Sequence, residues 1–116
     1  SSAASDVYKR QGCTILDEAL VTFGDNVLLA PNVSIYTAGH AVNVAQRIVG
    51  WEYAYPVTVG HNVWIGGNVV ILPGVSIGDN SIIGGGSVVT KDIPANVIAV
   101  GNPCKVIREL TEDELK

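Results

Sequence analysis

Hydrophobic residues return every six positions along most of this chain. Blocks of six that begin at Val59 read VGHNVW, IGGNVV, ILPGVS, IGDNSI, IGGGSV and VTKDIP, and the same frame fits FGDNVL, LAPNVS and IYTAGH from Phe23 onward. The first residue of a block is aliphatic or aromatic, and the fifth is mostly Val, Ser or Ile. Since side chains alternate along a strand, positions five, six and one form a short strand whose residues five and one point inward.

The fourth position of each block predicts a turn. It holds Asn, Asp or Gly in almost every block, with Ala38 as the exception. These are the residues that best tolerate a positive φ. Three strands and three turns give a coil of about 18 residues that advances by about 4.8 Å, the spacing of neighbouring strands. The pattern therefore predicts an all-β fold, a parallel β-helix with an aliphatic core.

The main alternative is an ordinary antiparallel β-protein whose spacing is accidental. Such a protein alternates over four to eight residues between irregular turns. Six consecutive blocks in one frame disfavour it.

The frame is interrupted once. Residues 41–52, AVNVAQRIVGWE, do not fit it, and we expect them to form a loop that leaves one corner of the prism. A loop of this length in a compact domain is usually functional.

The ends of the chain fit the repeat less well. Residues 1–11 do not fit and are expected to be a disordered or foreign tail, so that the repeat domain spans 12–110, with Ile15 and Val21 at position five. In the last segment, 111–116, Thr111 and Glu114 have the spacing of a capping box, which predicts the start of a short C-terminal helix.

Composition supports strands and excludes several functions. The chain has 18 Val and 11 Ile but only 7 Leu, and β-branched residues favour strands. Its net charge of −4 disfavours nucleic acid as the main partner, because binding to phosphate backbones needs Lys and Arg. No apolar run is long enough to span a membrane, and no signal segment opens the chain. We therefore expect a cytoplasmic protein. Met is absent, which suggests a fragment.

Position six should be exposed to solvent, yet it is often apolar. With about 18 residues in a coil, Trp64, Ile82 and Val100 should share one face. His40, Val70 and Val88 should share another if the interrupting loop adds no net face. Outward apolar rows favour a homo-oligomer packed along the prism.

His40 is the candidate catalytic residue. It ends its block at position six, so it points outward where the loop begins, and neutral imidazole can accept a proton near pH 7. His61 lies at a turn and is expected to be structural. Two histidines do not make a zinc site, which argues against a β-helical carbonic anhydrase.

A basic cluster near the end of the chain is the candidate anion site. Lys91, Lys105 and Arg108 fall in the last quarter of an otherwise acidic sequence. Such a cluster favours a ligand with several phosphates, although each residue alone could be an ordinary solvated charge.

Several motifs resemble the galactoside and maltose O-acetyltransferases. They are the hexapeptide blocks, YTAGH at Tyr36–His40, VGHNVWIG at Val59–Gly66 and VVTKDIPANVIAVGNPCKVIREL at Val88–Leu110. The resemblance implies a left-handed β-helix, a homotrimer with the active site between neighbouring subunits, and transfer of acetyl from acetyl-CoA to a sugar hydroxyl without a metal.

The resemblance also implies roles for single residues. His40 would be the general base, Trp64 would lie near the pantetheine arm, and Glu18 would bind hydroxyl groups of the acceptor. Gly67 matches a position where some family members have Ser. Because glycine has no side chain, only its backbone could contact coenzyme A here. The remaining positions that match contacts to coenzyme A are Gly85, Thr90, Lys91, Lys105 and Arg108.

The acceptor side departs from the family pattern. The family usually has Asn-x-Asn before the CTILD segment, whereas this chain has Arg10-Gln11-Gly12, and the family's N-terminal helical region has no match in the sequence. We therefore expect either a fragment or an acceptor that is bound differently. Two alternative functions also stay open. One is a hexapeptide acyltransferase with a non-sugar acceptor such as serine or an antibiotic, and the other is an inactive structural protein.

Overall fold

The computed structural model describes strands over residues 7–9 and 14–16 and the continuous stretch 19–116. Nearly all of its regular structure is short strand. In chain order the elements are β1 (Val7–Lys9), β2 (Thr14–Leu16), β3 (Val21–Phe23), β4 (Val27–Leu29), β5 (Ser34–Tyr36), β6 (Ala38–His40), α1 (Val44–Ile48), β7 (Glu52–Ala54), β8 (Val57–Val59), β9 (Trp64–Ile65), β10 (Val70–Ile71), β11 (Ser76–Ile77), β12 (Ile82–Ile83), β13 (Val88–Val89), β14 (Val97–Val100) and β15 (Lys105–Glu109).

The strands stack into three parallel faces. The first face pairs β3, β8 and β11, and the second pairs β1, β4, β9, β12 and β14, with β15 added antiparallel at its end. The third face pairs β2, β5, β10 and β13. Each turn of the chain passes once over each face, so the predicted parallel β-helix is confirmed.

Positions five and one of the repeat form the core. All of the predicted inward residues from Val21 to Ile93 are buried, and most are completely inaccessible to solvent. The two inward serines bond to backbone oxygens, Ser81 Oγ to Pro94 O at 2.7 Å and Ser87 Oγ to Gly84 O at 2.6 Å. The period of six therefore sets the burial pattern directly.

The predicted turn residues have the expected positive φ, except for Asp92, which does not. Five asparagines have φ between 59° and 64°, and Gly74 and Gly86 also have positive φ. The five are Asn26, Asn32, Asn62, Asn68 and Asn80. At one edge of the prism, three of these side chains and Asn96 form a ladder of amide hydrogen bonds between successive coils.

The last coil is shorter than the others, which corrects the predicted place of Val100. Asn62 and Asn80 bond across 18 residues, whereas Asn80 and Asn96 bond across 16. Ile82 therefore lies opposite Ile98, and the prediction that Val100 continues the row of Trp64 and Ile82 is wrong.

The interruption in the repeat is an excursion of β6, α1 and β7. Asn26 and Asn62 bond across 36 residues, twice the ordinary coil, so the excursion adds a whole number of blocks and the frame resumes unchanged. As a result Ser34, not His40, lies beside Val70 and Val88 on the third face. The expected loop, residues 41–52, thus contains a five-residue helix and connects the two strands of an antiparallel hairpin, β6–β7.

The start of the chain also differs from expectation. β1 pairs with β4, so residues 7–9 are part of the β-helix and not of a tail, while the rest of 1–11 lies outside the described residues. Ile15 lies opposite Ile35, which is a position-one residue, so its assignment to position five is wrong. The first coil is longer than the ordinary coil of 18 residues. Counting back from Val21 in blocks of six residues therefore gives Ile15 the wrong position.

The capping box near the end of the chain is present. Glu114 N donates to Thr111 Oγ1 at 3.2 Å, and Thr111 N donates to Glu114 Oε1 at 2.9 Å. These bonds close a turn within the segment 111–116, where the start of a short helix was expected.

Candidate functional site

The β6–β7 hairpin carries the candidate base. His40 is the last residue of β6, it is exposed, and it lies opposite Glu52 of β7. The next pair inward is Gly39 and Tyr53, and the Tyr53 ring lies directly over the Cα of Gly39. A Cβ at position 39 would overlap this ring, so a larger residue there would require the Tyr53 side chain to move.

Backbone and side-chain hydrogen bonds hold the excursion in place. At its root Tyr55 N donates to Thr37 O at 2.8 Å, and beyond His40 the Ala41 N donates to Trp51 O at 3.2 Å. Asn43 caps α1 by accepting from Gln46 N. Arg47 of the helix donates to the carbonyl oxygens of residues 41 and 42. The backbone around His40 is therefore fixed, although its imidazole is open to solvent.

Gly67 and Gly85 lie at the corner between the second and third faces. Gly86 N donates to Gly67 O at 2.8 Å, which joins the two turns. A Cβ built on Gly85 would lie 3.3 Å from Gly67 O, so these turns are in close contact. The structure thus brings together two of the predicted contact positions for coenzyme A, and both present backbone atoms only.

The two candidate lysines lie in different places. Lys91 and its neighbour Thr90 are exposed at the end of the third face, after β13. Lys105 is exposed at the start of β15, opposite Val100. Within the part of the chain that the structure describes, neither ammonium group makes an ion pair. Both are free to meet an anion.

Arg108 is engaged by a carboxylate. Its guanidinium forms a bidentate pair with Glu114, at 2.7 Å from Nη1 to Oε1 and 2.8 Å from Nη2 to Oε2. The pair raises the pKa of Arg108, and the hydrogen bond from Arg108 is the main cause that lowers the pKa of Glu114 to about 2. Arg108 therefore ties the C-terminal turn to β15, and an incoming phosphate would compete with Glu114 for it.

Trp64 borders a groove on the second face. Its side chain is 51% exposed and lies beside Leu28 and Ile82 in the outward row. The C-terminal turn forms the opposite wall of the groove, which has a volume of about 620 Å³. The lining residues are Asn62, Trp64, Asn80, Ile82, Leu110, Glu114, Leu115 and Lys116.

Other titratable groups have structural roles or lie elsewhere. His61 accepts a hydrogen bond from Asp25 N at its Nδ1, at 2.8 Å, which agrees with the structural role expected for it. Cys104 is buried, and burial raises the pKa of its thiol against a smaller opposing effect of the bond with Ser87. A thiol held in its neutral form is a poor nucleophile. Cys13 and Glu18 lie outside the described residues.

The predicted site is therefore divided within one chain. His40 lies on the hairpin, Gly67 and Gly85 lie at one corner, and Lys91 and Lys105 lie near the final coils. The sequence pattern did not predict Glu52 as the neighbour of His40 or Glu114 as the partner of Arg108. The capping-box spacing located Glu114 but gave no sign of its second bond, and only strand register could reveal Glu52.

The described residues include neither a metal-binding cluster nor a membrane-spanning helix. No group of three or more His, Cys, Asp and Glu side chains comes close enough to hold a metal ion. Among the same residues, no helix has the length and apolar character needed to cross a membrane.

Comparison with known proteins agrees with this architecture. Residues 56–91 match the family described as bacterial transferase hexapeptide (six repeats). Galactoside O-acetyltransferase of Escherichia coli K12 is 57% identical over 105 residues, which cover 90% of this chain and 52% of that protein. The chain belongs to the hexapeptide-repeat acetyltransferase family. Its fold is therefore the left-handed β-helix of that family, as the resemblance implied.

Two solved structures of family members superpose on the chain. A maltose O-acetyltransferase from Clostridium difficile 630 has a TM-score of 0.85 and 59% identity, covering 86% of this chain and 54% of that one. A galactoside acetyltransferase in complex with coenzyme A has a TM-score of 0.85 and 57% identity, covering 89% and 52%. The chain spans about half the length of the family members that it matches.

Proposed function

We propose that this chain carries the base and the donor site of an acetyl-CoA-dependent O-acetyltransferase that acts on a sugar hydroxyl. The observation that carries the proposal is His40, an exposed imidazole on a hairpin that several hydrogen bonds hold against the β-helix. A galactoside acetyltransferase of the same family binds coenzyme A, which supports acetyl-CoA as the donor.

The chemistry needs one proton acceptor and no covalent enzyme intermediate. As the hydroxyl oxygen attacks the thioester carbonyl, His40 takes the hydroxyl proton. The tetrahedral intermediate then collapses, its carbon–sulfur bond breaks, and the imidazolium returns the proton to the leaving thiolate of coenzyme A. Buried Cys104, with its raised pKa, is unsuited to a competing acyl-enzyme route.

Coenzyme A would be held mainly by free cations and turn backbone. Lys91 and Lys105 have unpaired ammonium groups, and the corner of Gly67 and Gly85 admits close approach of a ligand to the backbone. Arg108 would contribute only if a phosphate displaced Glu114. Thr90 and Trp64 complete the proposed donor contacts, and Glu18 is proposed to bind the acceptor.

We also propose a homotrimer in the cytoplasm. The trimer is supported by the half-exposed apolar row on the second face, since large outward side chains favour a protein partner. It would also allow His40 of one subunit to meet the lysines of another, which a divided site requires.

A non-sugar acceptor remains the second candidate. The donor chemistry is the same for any hydroxyl, and the acceptor contacts proposed here reduce to Glu18 and the excursion. Measured acetyl transfer is therefore needed to choose between acceptors. The same measurement distinguishes an enzyme from an inactive structural protein.

One assay separates these possibilities. The chain is incubated with acetyl-CoA and a panel of glycosides, amino acids and amino sugars, and release of free thiol is followed. We expect acetylation of a sugar, and loss of about 10²–10⁴ in rate for His40→Ala, the usual contribution of a general base. His61→Ala is the matched control, since the His61 side chain accepts a hydrogen bond from Asp25 N at a turn of the β-helix, away from the β6–β7 hairpin. Full turnover by His40→Ala would remove this residue from the mechanism.

The donor site is tested by calorimetry on the same proteins. Lys105→Ala should weaken coenzyme A binding by about tenfold or more, because a charge-assisted hydrogen bond contributes roughly 1.5–3 kcal/mol. His40→Ala should leave this affinity unchanged. Equal affinity in the Lys105 variant and the unaltered chain would refute the assignment.

A further inference from the structure

His40 and Glu52 form one of the closest cross-strand pairs of the hairpin. The register pairs Ala38 with Ala54, Gly39 with Tyr53 and His40 with Glu52. The flanking bonds, Tyr55 N to Thr37 O and Ala41 N to Trp51 O, mark residues 37, 39 and 41 as the hydrogen-bonded positions. Position 40 is therefore a non-hydrogen-bonded position, where opposite side chains lie closest in an antiparallel pair.

This register places an imidazole beside a carboxylate. Cβ atoms of directly opposite residues lie about 4.5–5.5 Å apart, and the smaller value applies to non-hydrogen-bonded pairs. Residues alternate across the strands, so His40 and Glu52 share one side of the hairpin while the Tyr53 ring occupies the other, over Gly39. Both side chains are exposed, and no hydrogen bond or ion pair joins them in this structure, so the proposed contact requires a change of side-chain rotamer.

We propose that Glu52 is a positioning residue for His40. Its carboxylate would accept one ring N–H of the imidazole, which leaves the other ring nitrogen unprotonated and directed at the acceptor hydroxyl. It would also stabilise the imidazolium that forms when the proton is transferred. The inference rests on the proposed role of His40 as base, and it adds the group that selects its tautomer.

The other charged group near this pair is Arg47, whose positive charge opposes the effect of Glu52 on the imidazolium. Arg47 of α1 bonds to the carbonyl oxygens of residues 41 and 42, so its positive charge lies close to His40. Glu52 on β7 is the carboxylate residue directly opposite His40 in the strand register, and the phenol of Tyr53 lies on the far side of the hairpin. Removal of the Glu52 charge should therefore remove a group that stabilises the imidazolium formed during proton transfer.

The direct test is 15N NMR of the His40 imidazole, which reports which ring nitrogen carries the proton. The neutral ring should be held in one tautomer in the unaltered chain. Glu52→Gln should change this tautomer balance, because an amide can donate as well as accept, whereas Glu112→Gln, in the distant C-terminal turn, should leave it unchanged. This measurement needs no turnover, so it also applies if the chain is inactive. An unchanged tautomer balance in Glu52→Gln would overturn the inference.

Kinetics supply the second readout. We expect Glu52→Gln to lose about tenfold or more in kcat, at constant affinity for coenzyme A, and to shift to lower pH the acidic limb of the pH–rate profile, on which activity falls as the general base is protonated. Glu52→Asp should restore part of the rate. If His40→Ala is inactive but Glu52→Gln keeps the rate and pH profile of the unaltered chain, the role of His40 as general base is supported and the positioning role of Glu52 is refuted.

A double variant separates positioning from a general structural effect. Residues that act as a unit are not additive, so His40→Ala combined with Glu52→Gln should be no slower than His40→Ala alone. Additive losses would mean that Glu52 acts independently of the imidazole and would also overturn the proposal.

Discussion

Two adjacent glycines at one corner of the β-helix should respond oppositely to the same substitution. Gly66 is buried, and a Cβ built on it would lie 2.6 Å from Gly85 N, 2.9 Å from Gly85 Cα and 3.0 Å from Ile83 O. All three atoms belong to the backbone of the next coil, so no side chain can move aside. A Cβ on Gly67 would meet only Pro31 O, at 3.4 Å, which is an ordinary contact.

The expected destabilisation follows from these contacts. Gly66→Ala forces the coils apart at a point where Gly66 N bonds to Ile83 O and Gly86 N bonds to Gly67 O, both at 2.8 Å. Overpacking typically costs about 1–3 kcal/mol, and weakening of the two bonds adds to it. The reduced entropy of the unfolded chain returns about 0.4–1 kcal/mol, which leaves a net loss of about 2–3 kcal/mol. Gly67→Ala receives only the entropic gain.

Thermal unfolding measured by circular dichroism tests the difference. At about 2.1 cal/mol/K per residue, a chain of 116 residues has an unfolding entropy for which 1 kcal/mol corresponds to about 4 °C. Gly66→Ala should therefore melt about 8–12 °C below the unaltered chain, and Gly67→Ala should melt at the same temperature or up to about 4 °C above it. All proteins are compared at one concentration. If Gly66→Ala melts within about 3 °C of Gly67→Ala, the close approach of the coils does not limit packing at this corner.

Two further predictions concern the ends of the prism and its surface. The pKa of Glu114 is lowered to about 2 from 4.5 by Arg108, so the pair is complete above pH 4.5 and is lost as the pH falls towards 2. An NMR titration should show Glu114 ionising well below Glu112, and equal values would contradict the ion pair. The exposed row of Leu28 and Trp64 predicts association, so light scattering should give about three times the 12.1 kDa of one chain, whereas a monodisperse monomer would refute the trimer.

The six-residue period determines the local features of this protein by itself. Val63 and Ile65 are buried because they occupy positions five and one, and this depends only on the alternation of side chains along a strand. Asn62 and Asn68 adopt positive φ because their own backbone preference matches the turn. Neither property requires knowledge of which coil lies above or below, so both could be predicted from the blocks alone.

The contacts between coils were decided by coil length. Neighbours along the prism are usually 18 residues apart, but the last coil has 16 and the excursion adds another 18, so the partner of a residue cannot be read from its place in a block. For this reason Ile98, not Val100, lies beside Ile82 on the second face, and Ser34, not His40, lies beside Val70 on the third face.

The candidate site depends most on tertiary structure. The sequence identified His40 and Arg108 as chemically important, because their side chains can accept a proton or bind a phosphate. Only the antiparallel register of β6 and β7 placed Glu52 beside His40, and only the C-terminal turn brought Glu114 onto Arg108. Chemical capacity belongs to the residue type, whereas the groups that tune it are brought near by the folded backbone, and that arrangement is not encoded in the spacing of the repeat.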